Sequence, residues 1–143
     1  HSLYLGKILL AAWRRETSNE VLPARVICQA YHPAVRLHLL DAYGWFLLDI
    51  TGATELPQGP PHSCEELPDP PAGKAVPGEI REFRRLEREG WLAELLQETV
   101  DAPAASPGNL AAAGGFPDPG QVQAWIDELG ACFDRMADSL DEC

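Results

Sequence analysis

The residues of this chain that could do chemistry are few and widely spaced. His38 and Asp41 lie three positions apart in an apolar run, and Asp49 follows two turns later. On a helix, at about 100° per residue, His38 and Asp41 would share one face. There a carboxylate can orient an imidazole for acid–base work, or the pair can bind a metal ion. We favour the alternative, a structural histidine held by Asp41 or by a backbone carbonyl, because no repeated Glu-x-x-His pattern supplies further ligands.

A second pair, Arg25 and His32, has the spacing Arg-x6-His. This spacing resembles the Arg-x4-6-His motif of the small helical ribonucleases of the HEPN group, whose fold is also a helical bundle. Seven residues on a straight helix place the two side chains on one face, as that chemistry requires. The pattern departs from the motif at Val26, where a polar residue is usual, and at Pro33, which follows the histidine directly.

The four cysteines, Cys28, Cys64, Cys132 and Cys143, form no Cys-x-x-Cys pair and no cluster with histidine. Cys28 and Cys132 stand in apolar contexts and are predicted to be small core residues. Free thiols are typical of a cytoplasmic protein, and a Cys64–Cys143 disulfide is the alternative. The sequence contains no glycine-rich phosphate loop, His-Glu-x-x-His or zinc-type cysteine spacing, so no cofactor and no metal is predicted.

Length and charge restrict the classes of partner. The 143 residues predict a single domain, and the formal charge of −11 repels phosphate backbones and anionic membrane surfaces. We therefore expect neither nucleic acid nor a membrane as a partner. The apolar run at residues 3–13 lacks a basic segment before it and a small-residue cleavage site after it, so it predicts an amphipathic first helix rather than a signal peptide.

The stretch that must position the candidate residues is residues 33–50. Its apolar side chains cover most of a helix circumference, and the only polar stripe contains His38, Asp41 and Asp49, with Trp45 inside it. A helix this apolar is predicted to be central and buried by several partners. Gly44 in its middle costs about 1 kcal/mol relative to Ala in an exposed helix, which predicts the close approach of another helix.

The other elements follow from periodicity and from capping residues. We expect a first helix over residues 2–16 with Ser2 as its N-cap, and a second from residues 20–23 to 51, bent or split at Pro33 and ended by Gly52. A third begins near Glu79 and is interrupted at Gly90. The last opens with Asp118 as N-cap, Pro119 at the first position and Gln121 completing a capping box. Irregular Pro/Gly-rich connections occupy residues 52–78 and 101–120.

Four tryptophans, Trp13, Trp45, Trp91 and Trp125, fall one on each predicted helix. One large aromatic residue per helix indicates a shared core layer rather than a ligand cage. Trp45 is the exception because it lies in the polar stripe, and we predict that it belongs to an interaction surface.

Three short patches give a resemblance to a known group. They are residues 3–5 (Leu-Tyr-Leu), residues 38–43 (His-Leu-Leu-Asp-Ala-Tyr) and residues 90–96, where Gly-Trp-Leu precedes Leu95-Leu96, with smaller support from Arg135-Met136 and Glu142-Cys143. Together they resemble a small family of uncharacterised, mostly proteobacterial proteins. The resemblance implies an all-helical domain and no known activity, so it implies no catalytic residues.

The sequence therefore predicts an all-α protein: a four-helix up-down bundle, residues 1–143, with a long Pro-rich crossover between helices two and three. For function we predict a non-enzymatic interaction protein, cytoplasmic, that uses Trp45 or the edge of the last helix to bind a protein partner or a second copy of itself. The alternative is a HEPN-like ribonuclease or a metal-dependent helical enzyme centred on Arg25 and His32 or on His38 and Asp41.

Overall fold

The structure is a computed structural model, and it describes residues 1–52, 57–68, 73, 75–97 and 117–141, with side chains to residue 137 in the last helix. Among these residues there are helices and no strands, which confirms the all-α class. The elements are α1 (Ser2–Asn19), α2 (Ala24–Thr51), a single 3-10 turn (Cys64–Glu66), α3 (Gly78–Glu89), α4 (Trp91–Leu96) and α5 (Pro119–Asp141).

Helix α2 is the central element, as its sequence predicts. It packs against α1 along most of that helix and also contacts α3, α4 and α5. Eleven of its residues are buried: Ile27, Cys28, His32, Val35, Leu39, Leu40, Ala42, Tyr43, Gly44, Leu47 and Leu48. An apolar helix is stabilised in this position because each neighbouring helix removes a different part of its surface from water.

The ends of α1 and α2 differ in detail from the expectation. Helix α1 starts at Ser2 with His1 as its N-cap, so Ser2 is the first helical residue rather than the cap. It ends at Asn19, and its C-cap Glu20 is in the left-handed conformation with φ 54°. Helix α2 begins after Pro23 and continues through Pro33 without a break. Gly52 ends it with φ 66°, which confirms the predicted C-cap.

The residue that approaches Gly44 belongs to the crossover and not to a helix, so the predicted helix–helix contact is wrong. An ideal Cβ placed on Gly44 would overlap the carbonyl oxygen of Pro61. Pro61 and Cys64 are both buried, so the described part of the crossover packs against α2. Glycine is required at this position because any side chain would overlap the Pro61 backbone.

The predicted interruption at Gly90 is confirmed, since α3 ends at Glu89 and α4 starts at Trp91. Arg36 of α2 lies at the other end of α4, where its Nε donates to the Leu95 carbonyl and its Nη2 donates to the Leu96 carbonyl, both at 2.9 Å. These carbonyls have no partner within the helix, so the guanidinium caps α4 and fixes it against α2.

The predicted N-cap of helix α5, Asp118, is confirmed. The Asp118 carboxylate accepts a hydrogen bond of 2.8 Å from the backbone N–H of Gln121, which satisfies one of the free donors of the first turn. The Cys28 thiol donates to the Pro117 carbonyl at 3.2 Å and ties the start of this helix to α2. The expected turn around residues 109–113 and the possible partner of Cys64, Cys143, lie outside the described residues.

Candidate functional site

Asp41, one member of the first candidate pair, is bound by a histidine of the crossover. The Oδ1 atom of Asp41 lies 2.8 Å from Nε2 of His62, and both side chains are partly exposed. The backbone N–H of His62 also donates to the Glu66 carboxylate. Asp41 therefore anchors the crossover onto α2 through His62, while the other member of the predicted pair, His38, is half-buried on the same helix.

An aspartate–histidine pair can orient an imidazole for proton transfer, but a reaction also needs a nucleophile or a metal within reach. Within residues 1–52, 57–68, 73, 75–97 and 117–137, no group of three His, Cys, Asp or Glu side chains is arranged to hold a metal ion. The Asp41–His62 hydrogen bond therefore joins two segments of the chain, α2 and the crossover.

Arg25 and His32 lie in very different environments. Arg25 is exposed in the first turn of α2, whereas His32 is 1% exposed. The imidazole of His32 lies between two indole rings, with centroid distances of 6.3 Å to Trp13 and 6.1 Å to Trp125. The structure does not bring Arg25 and His32 together in an open cleft, where an RNA strand could reach both.

Burial among apolar rings has an electrostatic consequence for His32. Loss of solvent, and secondarily the positive charge of Arg36, lowers the pKa of His32 from 6.5 to about 4. Both ring nitrogens are without a hydrogen-bond partner among the described atoms. A neutral, enclosed imidazole of this kind stabilises the core through packing and is unavailable to a substrate.

A polar cluster that the sequence did not indicate joins α2, the 3-10 turn and α3. The Tyr43 hydroxyl donates to Oε1 of Glu87 at 2.6 Å, and the backbone N–H of Cys64 donates to the same oxygen at 2.9 Å. The Cys64 sulfur lies 3.6 Å from the Tyr43 hydroxyl. Tyr43 and Cys64 are fully buried, so Glu87 satisfies two donors that would otherwise be buried without a partner.

The same burial makes this cluster unreactive. Desolvation is the main cause that raises the pKa of the Cys64 thiol to about 11, and the nearby Glu87 carboxylate adds to it. Burial and the hydrogen bond to Glu87 also raise the pKa of Tyr43. Burial likewise raises the pKa values of Cys28 and Cys132. Because a thiolate is the reactive form of cysteine, these three thiols are structural.

Trp45 lines an open groove at the end of the molecule where α1 begins. The groove has a volume of about 520 Å³, and Leu3 of α1, Ala42, Trp45, Phe46 and Asp49 of α2 and Phe133 of α5 form most of its wall, with His1 and Ser2 at its edge. Trp45 and Phe46 are only half-buried. The predicted interaction residue and the last helix therefore contribute to one surface feature.

Contacts between aromatic rings form the floor of this groove. The rings of Phe46 and Phe133 are 4.3 Å apart at an interplanar angle of 40°, and Phe46 also meets Phe83 edge-on at 6.2 Å. Aromatic pairs at such distances add to the packing energy of the helices that carry them. Asp49 is exposed and is the acidic group of the groove wall. The groove thus combines an apolar surface with one negative charge.

Three residues important to these arrangements were not singled out from the sequence: Pro61, His62 and Phe133. His62 lies in a proline-rich segment that has no periodicity, so nothing in its surroundings indicates Asp41 as a partner. Phe133 matches the apolar period of the last helix and is read as a core residue. Its position in the groove depends on how α1 and α2 pack beside α5, which the local pattern of α5 does not contain.

Comparisons of this chain with protein-family models, with curated proteins and with solved structures find no match. Within the described part of the chain, none of the helices has the length and apolar character needed to span a membrane.

Proposed function

We propose that this protein is a non-enzymatic interaction protein whose binding surface is the groove formed by Leu3, Ala42, Trp45, Phe46 and Phe133. The single observation that carries the proposal is an open, largely apolar groove with a half-exposed tryptophan at a helix junction. Aromatic residues in such positions contribute a large share of the binding energy at protein interfaces.

The chemistry of the groove suggests the kind of partner. Apolar side chains of a peptide segment would contact the aromatic floor, and a Lys or Arg beside them would pair with Asp49. A net charge of −11 favours such a basic protein segment and disfavours nucleic acid and anionic membranes. We propose the cytoplasm as its location, since the described cysteines are buried thiols.

The proposal includes a bundle of up-down topology. Several contacts support it: Gly6 and Trp13 of α1 lie beside Leu39 and His32 of α2, which is an antiparallel order. Tyr43 meets Phe83, and Arg36 meets Leu95, so α3 and α4 also run against α2.

Helix α5 follows the direction of α2, because Trp125 lies near His32 and Phe133 near Phe46. In this topology the first turn of α1 and the later turns of α2 and α5 meet at one end of the bundle, where the groove lies. Membership of the small proteobacterial family that the sequence resembles is a proposal of the same kind.

The enzymatic alternative, a HEPN-like ribonuclease or a metal-dependent helical enzyme, is not what we propose. His32 is buried while Arg25 is exposed, and Asp41 is paired with His62. His32 and Asp41 are thus held in structural roles.

Selection of short peptides from a random displayed library on the immobilised full chain tests the proposal. We expect the selected peptides to share an apolar anchor next to a basic residue. Replacing the indole in Trp45→Ala should weaken their binding by roughly tenfold, about 1.4 kcal/mol, because the anchor loses its main contact. Trp91→Ala, at a half-buried tryptophan outside the groove, is the matched control and should leave the affinity unchanged.

Two results would contradict the proposal. One is a set of selected peptides that bind Trp45→Ala and the unmodified chain with equal dissociation constants. The other is hydrolysis of single-stranded RNA by the purified chain that disappears in His32→Ala. Circular dichroism of each variant establishes that it remains helical before its binding is compared.

A further inference from the structure

Helix α3 contains four arginines and four glutamates, and the structure separates the two charges. The arginines are all exposed, and they are Arg81, Arg84, Arg85 and Arg88. At about 100° per residue they lie within roughly 100° of one another, on the side of the helix away from the buried Phe83. We call this set the arginine stripe, and a rise of about 1.5 Å per residue makes it about 10 Å long.

Two glutamates that could neutralise the arginine stripe bind other parts of the chain instead. Glu82 is half-buried and accepts a hydrogen bond of 2.9 Å from the guanidinium of Arg135 on α5. Glu87 is also half-buried, and it accepts from the Tyr43 hydroxyl and from the backbone N–H of Cys64. Within the described parts of the chain, the arginine stripe therefore forms no ion pair.

Two exposed carboxylates border the stripe. Glu89, in the last turn of α3, lies about 40° round the helix from Arg85, and Glu65 belongs to the 3-10 turn that packs against α3. Neither carboxylate pairs with an arginine of the stripe. The remaining glutamate of α3, the half-buried Glu79, lies about 160° from Arg81, on the other side of the helix. The outward side of α3 therefore stays basic, with four arginines against one exposed carboxylate on the same helix.

This concentration of positive charge is local, because the molecule as a whole is strongly acidic. Outside α3 the chain carries seven Lys or Arg against eighteen Asp or Glu. Within the stripe, Arg81 and Arg85 are four residues apart, as are Arg84 and Arg88, and like charges at this spacing on a helix repel each other. An anionic partner would remove that repulsion, so its binding would also stabilise α3.

We propose that the arginine stripe binds an acidic segment of a partner protein. Each planar guanidinium can hold a carboxylate through two parallel hydrogen bonds, so closely spaced Asp and Glu side chains are complementary to this surface. A protein segment can carry its negative charges only where they meet the stripe. A nucleic-acid strand, in contrast, continues with the same charge beyond the stripe, where the acidic remainder of the molecule repels it.

The groove at Trp45 is lined by α1, α2 and α5, so the inference goes beyond the proposed function and does not depend on it. Fluorescence anisotropy of a labelled peptide rich in Glu and Asp, titrated with the full chain at about 0.15 M salt, provides the test. We expect saturable binding of this peptide and no binding of the same peptide with Gln and Asn in place of its acidic residues. Arg81→Glu combined with Arg88→Glu should raise the dissociation constant roughly tenfold or more, because both ends of the stripe then repel carboxylates.

The chain offers a matched control in Arg14→Glu combined with Arg15→Glu. These arginines of α1 are also exposed, and the double change alters the net charge by the same amount, so the affinity should stay within about twofold of that of the unmodified chain. Arg81→Gln combined with Arg88→Gln is a milder change on the stripe and should weaken binding roughly threefold. Amide hydrogen exchange in α3 should slow when the acidic peptide is bound, since the arginines then no longer repel each other.

Absence of binding by the acidic peptide, or equal binding of its neutral counterpart, would overturn the proposal. Equal weakening by the charge reversals on α1 and on α3 would also overturn it, because the overall charge of the molecule would then account for the affinity. A single-stranded RNA of the same charge that binds more tightly than the peptide would make a nucleic acid the occupant of the stripe and would overturn the choice of partner.

Discussion

At the scale of single residues, Gly44 shows how a glycine in a helix is retained by a tertiary contact. A helix gains about 1 kcal/mol when an interior glycine becomes alanine. At Gly44 that gain is not accessible, because the Pro61 carbonyl occupies the place of the missing Cβ. The contact lets the crossover lie directly on α2, and the Asp41–His62 hydrogen bond holds it there.

We predict that Gly44→Ala lowers the free energy of unfolding by about 1–3 kcal/mol, because the methyl group must displace the Pro61 backbone. Gly130→Ala is the matched control: no atom lies within 4 Å of its Cβ position, and α5 is helical there. That variant should be more stable by about 0.5–1 kcal/mol. Urea unfolding of both variants measures the difference, and a stabilised Gly44→Ala would contradict this account.

His32 is predicted to make folding stability depend on pH. Its folded-state pKa of about 4 lies below the ordinary histidine value of 6.5, so the contribution of neutral His32 is complete above pH 6.5 and is lost as the pH falls toward 4. This one group lowers the free energy of unfolding by about 3 kcal/mol at most. His32→Leu removes two buried, unpartnered nitrogens and should make the free energy of unfolding less dependent on pH in this range.

Urea unfolding of the unmodified chain and of His32→Leu at a series of pH values between about 7 and 4.5 tests the role of this histidine. At neutral pH the variant should be as stable as the unmodified chain or more so, since an apolar side chain replaces a buried polar one. Identical pH dependence in the two proteins would assign the acid sensitivity to other groups.

At the scale of elements, Arg36 illustrates a cap supplied from another part of the chain. In the sequence it stands alone among apolar residues, and no carboxylate is spaced to pair with it along α2. The structure instead gives it two carbonyls of α4, about sixty positions away. Helix α4 has only six residues, so it depends on contacts of this kind more than a long helix does.

We predict that Arg36→Met lowers the free energy of unfolding by about 1–3 kcal/mol, because two carbonyls at the end of α4 lose a charged donor. Arg135→Met is the matched control, since Arg135 forms an exposed ion pair with Glu82 at 2.9 Å and should cost less than about 1 kcal/mol. Hydrogen exchange should show faster opening of residues 91–97 in Arg36→Met alone. Equal effects in the two variants would contradict the capping role.

Helix types and most helix ends could be read from local sequence. The break at Gly90, the end of α2 at Gly52 and the start of α5 after Asp118 depend on backbone preference and capping within a few residues. Pro33 favours a break in α2, because a proline removes one backbone hydrogen bond of the helix. Burial of the helix before and after the proline can nevertheless keep it continuous. The continuity of α2 is such a case.

At the scale of the whole molecule, the candidate groove arises from the relative positions of three helices. Trp45 could be singled out because it interrupts a polar stripe, whereas Phe133 could not be separated from the core residues of α5. The groove lies between Leu3 of α1, the later half of α2 and Phe133 of α5, and Phe46 and Phe133 are only half-buried there. No local pattern carries that information.

The amino-acid sequence by itself determined the helical class, the central position of α2 and the turns and caps that separate the elements, because periodicity and capping act over one to four residues. Only the tertiary structure decided the partners of Gly44, Arg36 and Asp41, the burial of His32 and the composition of the groove. These depend on contacts between residues far apart in the chain. Such contacts form through packing of whole surfaces, in which many alternative neighbours are chemically equivalent until the helices are placed.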